Sequence, residues 1–342
     1  MNSSDINLKQ LAQQLGVSKA TVSRALNGYP EVNADTRRRV LEAAHAAGYR
    51  PNSLARSLAV GRTDMIGLVY PLRPNDLGNP FFLSVVSGIE QALRAQGKSL
   101  LIAAEPEEDQ LAPYQQWVRS GRLDGLIVPQ TRINDVRFDF LRTSNMPFIA
   151  HGRFNTDQGY AWFDYDNEAG VALAVERLAQ LGHQRIALIS AQQQMSCHVQ
   201  RRQGFMHGMR AHDLPVLPGY MLSDVTTPEQ GEAATHQLLA LTPRPTAIVV
   251  DNNMAAVGVV HALQSVGIQL GRDLSLIIHD EIPYLNWFVG PITSVVLPKP
   301  VDAGAKIAEL LLKRMDGQPV EQLQVLWQPA LVIGASDGPP PT

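Results

Sequence analysis

From Met65 onward the chain is built on short apolar runs that recur between helical patterns. M-I-G-L-V-Y (Met65–Tyr70), S-L-L-I-A-A (Ser99–Ala104), D-G-L-I-V-P (Asp124–Pro129) and P-F-I-A-H (Pro147–His151) come first. R-I-A-L-I-S (185–190), T-A-I-V-V (246–250), L-S-L-I-I (274–278) and T-S-V-V-L (293–297) follow. Runs this short and apolar read as strands buried on both faces, and helices between them imply parallel pairing. Phe81–Gln96 is one such amphipathic helix, closed by Gly97, and Asn167–Leu181 is another, closed by Gly182. Residues 64–338 hold too many of these units for one sheet, so the pattern predicts two Rossmann-like α/β subdomains with a cleft between them.

Ahead of this body the rhythm is purely helical. Leu8, Leu11, Ala12 and Leu15 line one face of a first helix, and Gly16 breaks it. Val17–Gly28 then reads V-S-K-A-T-V-S-R-A-L-N-G, with Ser18 suited to cap a second helix. Val22, Ala25 and Leu26 can pack on the first helix, which leaves Lys19, Thr21, Ser23 and Arg24 outward beside the small Ala20. A third helix is expected over Ala34–Ala47, capped by Asn33, with Val40, Leu41 and Ala44 inward and Gly48 as its stop. Any helical hairpin with solvated polar residues shares part of this pattern. A short, basic, exposed helix start is also what a DNA major groove requires, with donors for base edges and hydroxyls for phosphates.

The charge distribution favours the second reading. The net charge of −3 conceals an asymmetry: Met1–Arg62 holds nine of the 29 Lys and Arg but four of the 32 Asp and Glu, a net +5 against −8 for the remainder. A basic end on an acidic body suits contact with nucleic acid at one end only. The single cysteine, Cys197, excludes a disulfide framework and a multi-cysteine zinc site. Its neighbour His198 invites a nucleophile–base reading, yet adjacent helical residues diverge and no acidic orienter is evident, so a packed thiol is the expectation. No metal, cofactor or catalytic residue is expected. No signal peptide or membrane-spanning run is apparent, so a cytoplasmic, chromosome-associated protein is expected.

The order of the three helices, followed by G-Y-R-P-N-S-L-A-R-S-L (Gly48–Leu58), resembles the LacI/GalR family of bacterial transcription regulators. The resemblance extends over essentially the whole chain. It implies a three-helix helix-turn-helix head at 1–50, a hinge helix and linker at 51–63, an effector-binding and dimerisation body at 64–338, and a tail at 339–342. The body resembles the periplasmic sugar-binding-protein fold. Its N-subdomain is expected at about 64–163 and 292–323, and its C-subdomain at about 164–291 and 324–338. Pro51 ends the third helix and Asn52 can cap Ser53–Ala59, a helix too short to be stable alone in water.

The resemblance also assigns roles. Lys19, Ala20 and Arg24 would read operator bases, while Thr21, Ser23 and Arg37 would hold phosphates. Asn52, Arg56 and Leu58 would serve the hinge, with paired Leu58 side chains of a homodimer wedging the minor groove of a pseudo-palindromic operator. Relatives often carry a basic residue where this chain has Ala59, which puts that extra contact in doubt. The polar, proline-rich stretch from Ser336 reads as a loose tail, with no leucine heptad for a tetramer helix.

For the cleft, N-P-F-F places Phe81 and Phe82 as ligand-facing or core aromatics. Asp164 in W-F-D-Y-D-N matches a cleft aspartate, whereas Asp166 and Asn167 suit helix capping. R-R-Q-G-F matches the family's R-x-x-G-F/W, with Arg201 directed to a ligand oxygen and Arg202 solvated. N-N-M-A-A-V-G matches N-D-x-x-A-x-G, with Asn252 in the cleft and Asn253 where an aspartate is usual. Asp280 in I-H-D matches a ligand-binding aspartate, although Ile278 and His279 replace glycine and tyrosine. Trp162 and Trp287 are stacking candidates or core and rim residues. Carboxylates, an arginine, an asparagine and aromatic walls suit a mono- or oligosaccharide. His151-Gly-Arg and the F-D-Y-D-N-E run are faintly similar to members sensing α-glucosides or α-galactosides.

The function implied is a homodimeric repressor of a sugar-utilisation operon, its DNA affinity changed by the ligand. A purine-responsive corepressor protein remains open, since aromatics and polar partners suit a purine too. A sugar-processing enzyme would use two carboxylates as an acid–base pair, and a transport protein would share the body, but neither explains the head. P-loop and G-x-G-x-x-G fingerprints are missing after the first strand.

Overall fold

The computed structural model describes residues 7–26, 28–49, 61–70, 79–104, 109–154, 159–280 and 285–341. The chain divides into two units, Met1–Thr63 and Asp64–Thr342. Among the described residues no helix is long and apolar enough to cross a membrane.

The first unit holds α1 (Leu8–Leu15), α2 (Lys19–Leu26) and α3 (Ala34–Ala46). Asn7 and Gln10 form a reciprocal capping box at the start of α1. Gly16 adopts φ 67° to end α1, a left-handed conformation that carries little penalty only without a Cβ. Leu11, Ala12, Val22, Ala25, Val32, Val40 and Ala44 form the core. Leu41, expected inside, is 48% exposed because Val40 and Ala44 already fill the face that α3 turns to α1 and α2.

The second unit contains two six-stranded sheets. Its elements in order are β1 (Met65–Tyr70), α4 (Pro80–Ala95), β2 (Ser99–Ala104), α5 (Ala112–Ser120), β3 (Gly125–Val128), α6 (Val136–Thr143), β4 (Phe148–His151) and β5 (Trp162–Tyr165). There follow α7 (Asn167–Gln180), β6 (Ile186–Ile189), α8 (Ser196–Ala211), β7 (Met221–Leu222), α9 (Pro228–Leu239), β8 (Ala247–Val250), α10 (Asn253–Ser265) and β9 (Ser275–His279). Last come α11 (Asn286–Val289), β10 (Thr293–Val296), α12 (Pro300–Met315), β11 (Gln324–Trp327) and β12 (Ala330–Val332). One sheet has the order β11-β5-β4-β3-β1-β2 and the other β12-β10-β9-β8-β6-β7. Pairing is parallel throughout except at β10–β12.

These pairings move the subdomain boundaries. β10 joins the second sheet, Thr293 beside Ile277, and β11 joins the first, Val325 beside Phe163. The chain therefore makes its first crossing after Tyr165, near residue 164 as expected, but its second and third after Val296 and after Trp327 instead of at 292 and 323. β10 and β11 are short strands, and their local pattern does not state which sheet edge will accept them. The residues from Ser336 are also not loose at their start. Ser336 exchanges hydrogen bonds with Leu276, Asp337 pairs with Arg177 at 2.7 Å, and Gly338 accepts from His183 and donates to Ser275.

Helix pairs in each subdomain approach closely at glycines. A Cβ on Gly88 of α4 would stand 1.9 Å from the Val301 carbonyl oxygen, and one on Gly204 of α8 would stand 2.1 Å from that of Glu168. The second approach seats α8 against the start of α7, which brings Arg201 beside Asn167.

Candidate functional site

In the first unit, Lys19, Ala20 and Arg24 lie on the exposed side of α2. Ser18 caps the helix, its Oγ accepting from the Thr21 N–H at 3.0 Å and lying 2.8 Å from Thr21 Oγ1. Thr21 and Ser23 are half-buried. Arg37 differs from expectation. Its Nη2 donates to the carbonyls of Tyr29 (2.6 Å), Gly28 and Val32 (both 3.4 Å), so it shapes the turn between α2 and α3 instead of standing free for a phosphate. Asn52, Arg56 and Leu58 lie outside the described residues.

In the second unit, a cavity of about 210 Å³ opens between the two sheets. Phe81 and Phe82 line it from the start of α4, where Asn79 caps the helix through the Phe81 and Phe82 amides. Phe82 also packs on Tyr70, centroids 4.6 Å apart. Asp164 enters from β5, Asn167 and Arg201 from α7 and α8, and Asp280 from the end of β9. Four of these polar groups form one chain of contacts. Asp164 Oδ1 accepts from Asn167 Nδ2 (3.2 Å), Asn167 Oδ1 accepts from Arg201 Nε (3.0 Å), and Arg201 Nη2 lies 3.6 Å from Asp280 Oδ2. Asp280 holds φ 67°, fixed by its N–H donating to the Val295 carbonyl at 3.0 Å.

Burial sets the electrostatics. Desolvation pushes the Asp164 carboxyl up to about 7, although Arg153 at 3.0 Å, hydrogen bonds and Arg201 oppose it. Asp251 lies behind the cavity. Burial would raise it, but His198, Arg201 and the Ser190 hydroxyl hold it well below the usual carboxylate range. Burial alone lowers His151 to about 4, leaving a neutral imidazole on the cavity wall.

Several assignments change. Asn252 does not face the cavity: its side chain caps α10 by accepting from Ala255 N–H (2.9 Å) and donates to the Val225 carbonyl (2.9 Å). Asn253 is the one that reaches across, its Nδ2 3.5 Å from Asn79 Oδ1. An extended N-cap residue folds its side chain back over the first turn, which reserves Asn252 for the helix. Asp166 caps α7 as expected, whereas Asn167 belongs to the cavity. Trp162 is buried in the core with the Arg153 guanidinium 5.8 Å from its ring, and Trp287 is 84% exposed. Cys197 lines the cavity, and an acidic orienter exists, since His198 Nδ1 lies 3.2 Å from buried Asp251. His279, which stands where relatives have tyrosine, is buried against Gly170.

Arg153 was not singled out as a site residue. It pairs with Asp164, and its own carbonyl accepts from Gln200 Nε2 at 2.8 Å. Its signal, a basic residue two positions after β4, is too common to be informative without the fold.

Residues 7–52 match the family model of bacterial regulatory proteins of the lacI family, and residues 63–284 match that of periplasmic binding proteins and the sugar binding domain of the LacI family. The chain belongs to the LacI family. It is a DNA-binding transcription regulator and not an enzyme. It is 36% identical to the HTH-type transcriptional regulator AglR of Rhizobium meliloti (strain 1021), over 98% of this chain and 95% of that one. The crystal structure of a protein described as a transcriptional regulator from Yersinia pestis biovar Microtus str. 91001 is 39% identical, with a TM-score of 0.76 over 82% of this chain and 100% of that one. The transcriptional regulator CelR in complex with cellobiose is 26% identical, with a TM-score of 0.73 over 97% and 99% of the two chains.

Proposed function

We propose that this LacI-family regulator is a homodimeric repressor of carbohydrate-utilisation genes, acting in the cytoplasm on a pseudo-palindromic operator. Lys19, Ala20 and Arg24 read bases, Thr21 and Ser23 support phosphate contacts, and Arg37 positions the turn beside them. The cavity takes a mono- or oligosaccharide. The observation that carries this reading is the linked set Asp164, Asn167, Arg201 and Asp280 sharing one cavity with Phe81 and Phe82. Fixed carboxylates and a guanidinium suit vicinal hydroxyls, and aromatic faces suit the C–H surface of a sugar ring. A relative with the same overall fold, CelR, is solved with cellobiose, which supports the ligand class by kinship.

The ligand changes operator affinity only through its differential affinity for two states of the protein. The test is a thermal-shift panel of α-glucosides, α-galactosides, cellobiose and free nucleobases, followed by operator gel shifts with each hit. A saccharide should raise the melting temperature, with stabilisation of about 2.7 kcal/mol at a hundred times Kd, and should change operator affinity by roughly 5–150-fold. Stabilisation by nucleobases alone would replace the saccharide reading with a purine one.

A further inference from the structure

The two subdomains are joined by the three chain crossings and also by a strap formed by residues 131–133 and 194–196. Arg132 and Met195 pair as an isolated antiparallel bridge. Ser196 N–H donates to the Thr131 carbonyl at 2.8 Å, and Ile133 N–H donates to the Gln194 carbonyl at 3.1 Å. The hydroxyls of Thr131 and Ser196 lie 2.5 Å apart, and Ser196 Oγ also reaches the Thr131 carbonyl at 3.0 Å. Both residues are buried. Thr131 belongs to the first subdomain, after β3, and Ser196 opens α8 of the second.

Each half of the strap has a physical reason to be where it is. Helix α8 begins at Ser196 after Met195, whose side chain has no oxygen to cap it. The first N–H groups of a helix lack internal partners, and here Thr131 supplies one from across the cleft. On the other side, the loop from Gln130 to Asp135 is held by buried Arg137. Its Nη2 donates to Asp135 at 2.6 Å and to the Gln130 carbonyl at 2.9 Å, and Gln130 and Asn134 both adopt left-handed backbone. A buried ion pair is an expensive way to build a loop unless the loop's shape matters. Gly152 completes the fit, since a Cβ there would stand 2.2 Å from Thr131 Oγ1.

The strap also bounds the cavity. Gln130, Thr131 and Cys197 line it at this end, and Asp164, Tyr165 and Leu297 line it beside the crossings. We propose that Thr131 caps α8 from the opposite subdomain and that this strap is the closing latch of the cavity, so that closure also orders the helical turn carrying Cys197 and leading to Arg201. The latch rests on the reading of the cavity as the effector site. Opening it unpairs the Ser196 and Ile133 amides together and exposes the half-buried Cys197 further.

Cys197 is the single cysteine in the chain, so it reports on opening without an introduced label. The experiment is alkylation of the ligand-free full-length protein by N-ethylmaleimide, with hydrogen exchange at Ile133 and Ser196. Thr131→Val keeps the shape and removes the hydroxyl, while Thr131→Ser keeps the hydroxyl. Loss of one buried hydrogen bond should speed Cys197 alkylation and the exchange of both amides roughly fivefold or more in Thr131→Val. Thr131→Ser should stay near the wild-type rates. A smaller increase in Thr131→Val, an equal increase in both variants, or unrelated exchange rates at the two amides in wild type would overturn the latch. No sugar is added, so such a failure leaves the saccharide reading to its own test.

Discussion

The proposed operator-reading surface and the proposed effector cavity handle charge in opposite ways. Lys19 and Arg24 stand exposed on α2, supported by a helix cap and a small apolar core. Arg201 is buried, with Nε on Asn167, Nη1 on the Asp251 carbonyl at 2.5 Å and Nη2 near Asp280. The exposed surface leaves its donors uncommitted to the fold, so a partner can claim them at little structural cost. The cavity holds its donors and acceptors in a network that must be satisfied with or without a ligand. Binding strength at the first site should therefore be separable from stability, and at the second it should not.

The largest expected effect tests the buried side of that contrast. Arg201→Ala leaves Asn167, Asp280 and the Asp251 carbonyl without their shared donor. Removing one partner of a buried charged cluster costs about 3–5 kcal/mol. Urea denaturation should show that loss, together with loss of any saccharide-induced melting shift. Retention of wild-type stability in Arg201→Ala would mean that the network is looser than its distances indicate. Lys19→Ala is the counterpart, and an exposed substitution of this kind should change stability by less than about 0.5 kcal/mol.

The second test lies on the exposed side. A good base contact is worth about 1–3 kcal/mol of discrimination, so Arg24→Ala should narrow the affinity gap between the operator and a base-substituted operator by that amount. The comparison should be run at one salt concentration, because phosphate contacts are screened and base contacts much less so. Equal weakening on both DNAs would make Arg24 a phosphate contact and reassign the reading to Lys19 and its neighbours.

The same contrast explains what was legible in the sequence. The reading helix is contiguous, so its residue types and spacing carry the whole message, and the caps at Ser18 and Asn33 follow from local chemistry. The alternating strands made two α/β sheets readable, but not which sheet receives β10 and β11, since that depends on free edges far away in the chain. Asp164, Arg201 and Asp280 were legible through motifs, and all three line the cavity. Asn252 was misplaced because N-N offers a cap and a cleft residue in either order, and only the helix start decides between them. Arg37 and Arg153 show the converse. An arginine's sequence neighbours do not reveal whether its partners are solvent, a turn of backbone carbonyls or a buried aspartate.

The smallest effect concerns protons. Desolvation holds the Asp164 carboxyl at about 7 in the folded protein against an ordinary value of 3.8. Between those values the native state keeps a proton that the unfolded chain has released, so this residue lowers stability as pH rises from about 4 to 7 and has no further effect above that window. Arg153, Arg201, Asp166 and the Tyr160 hydroxyl surround it and set how far it moves. An ionised carboxylate accepts from ligand hydroxyls and a neutral one accepts less well. Saccharide affinity should therefore rise from pH 6 to pH 8, by at most about tenfold, because a group titrating at about 7 goes from roughly one-tenth to roughly nine-tenths ionised over that range, with proton release detectable by calorimetry in buffers of different ionisation enthalpy. Asp164→Asn should bind more weakly and with no such pH dependence. The exposed surface offers the control, because operator binding by ligand-free protein should show the same pH profile in wild type and Asp164→Asn. A pH dependence of saccharide binding that survives in Asp164→Asn would move the titrating group elsewhere, with Cys197 on the cavity wall and its neighbour His198 the pair to examine next.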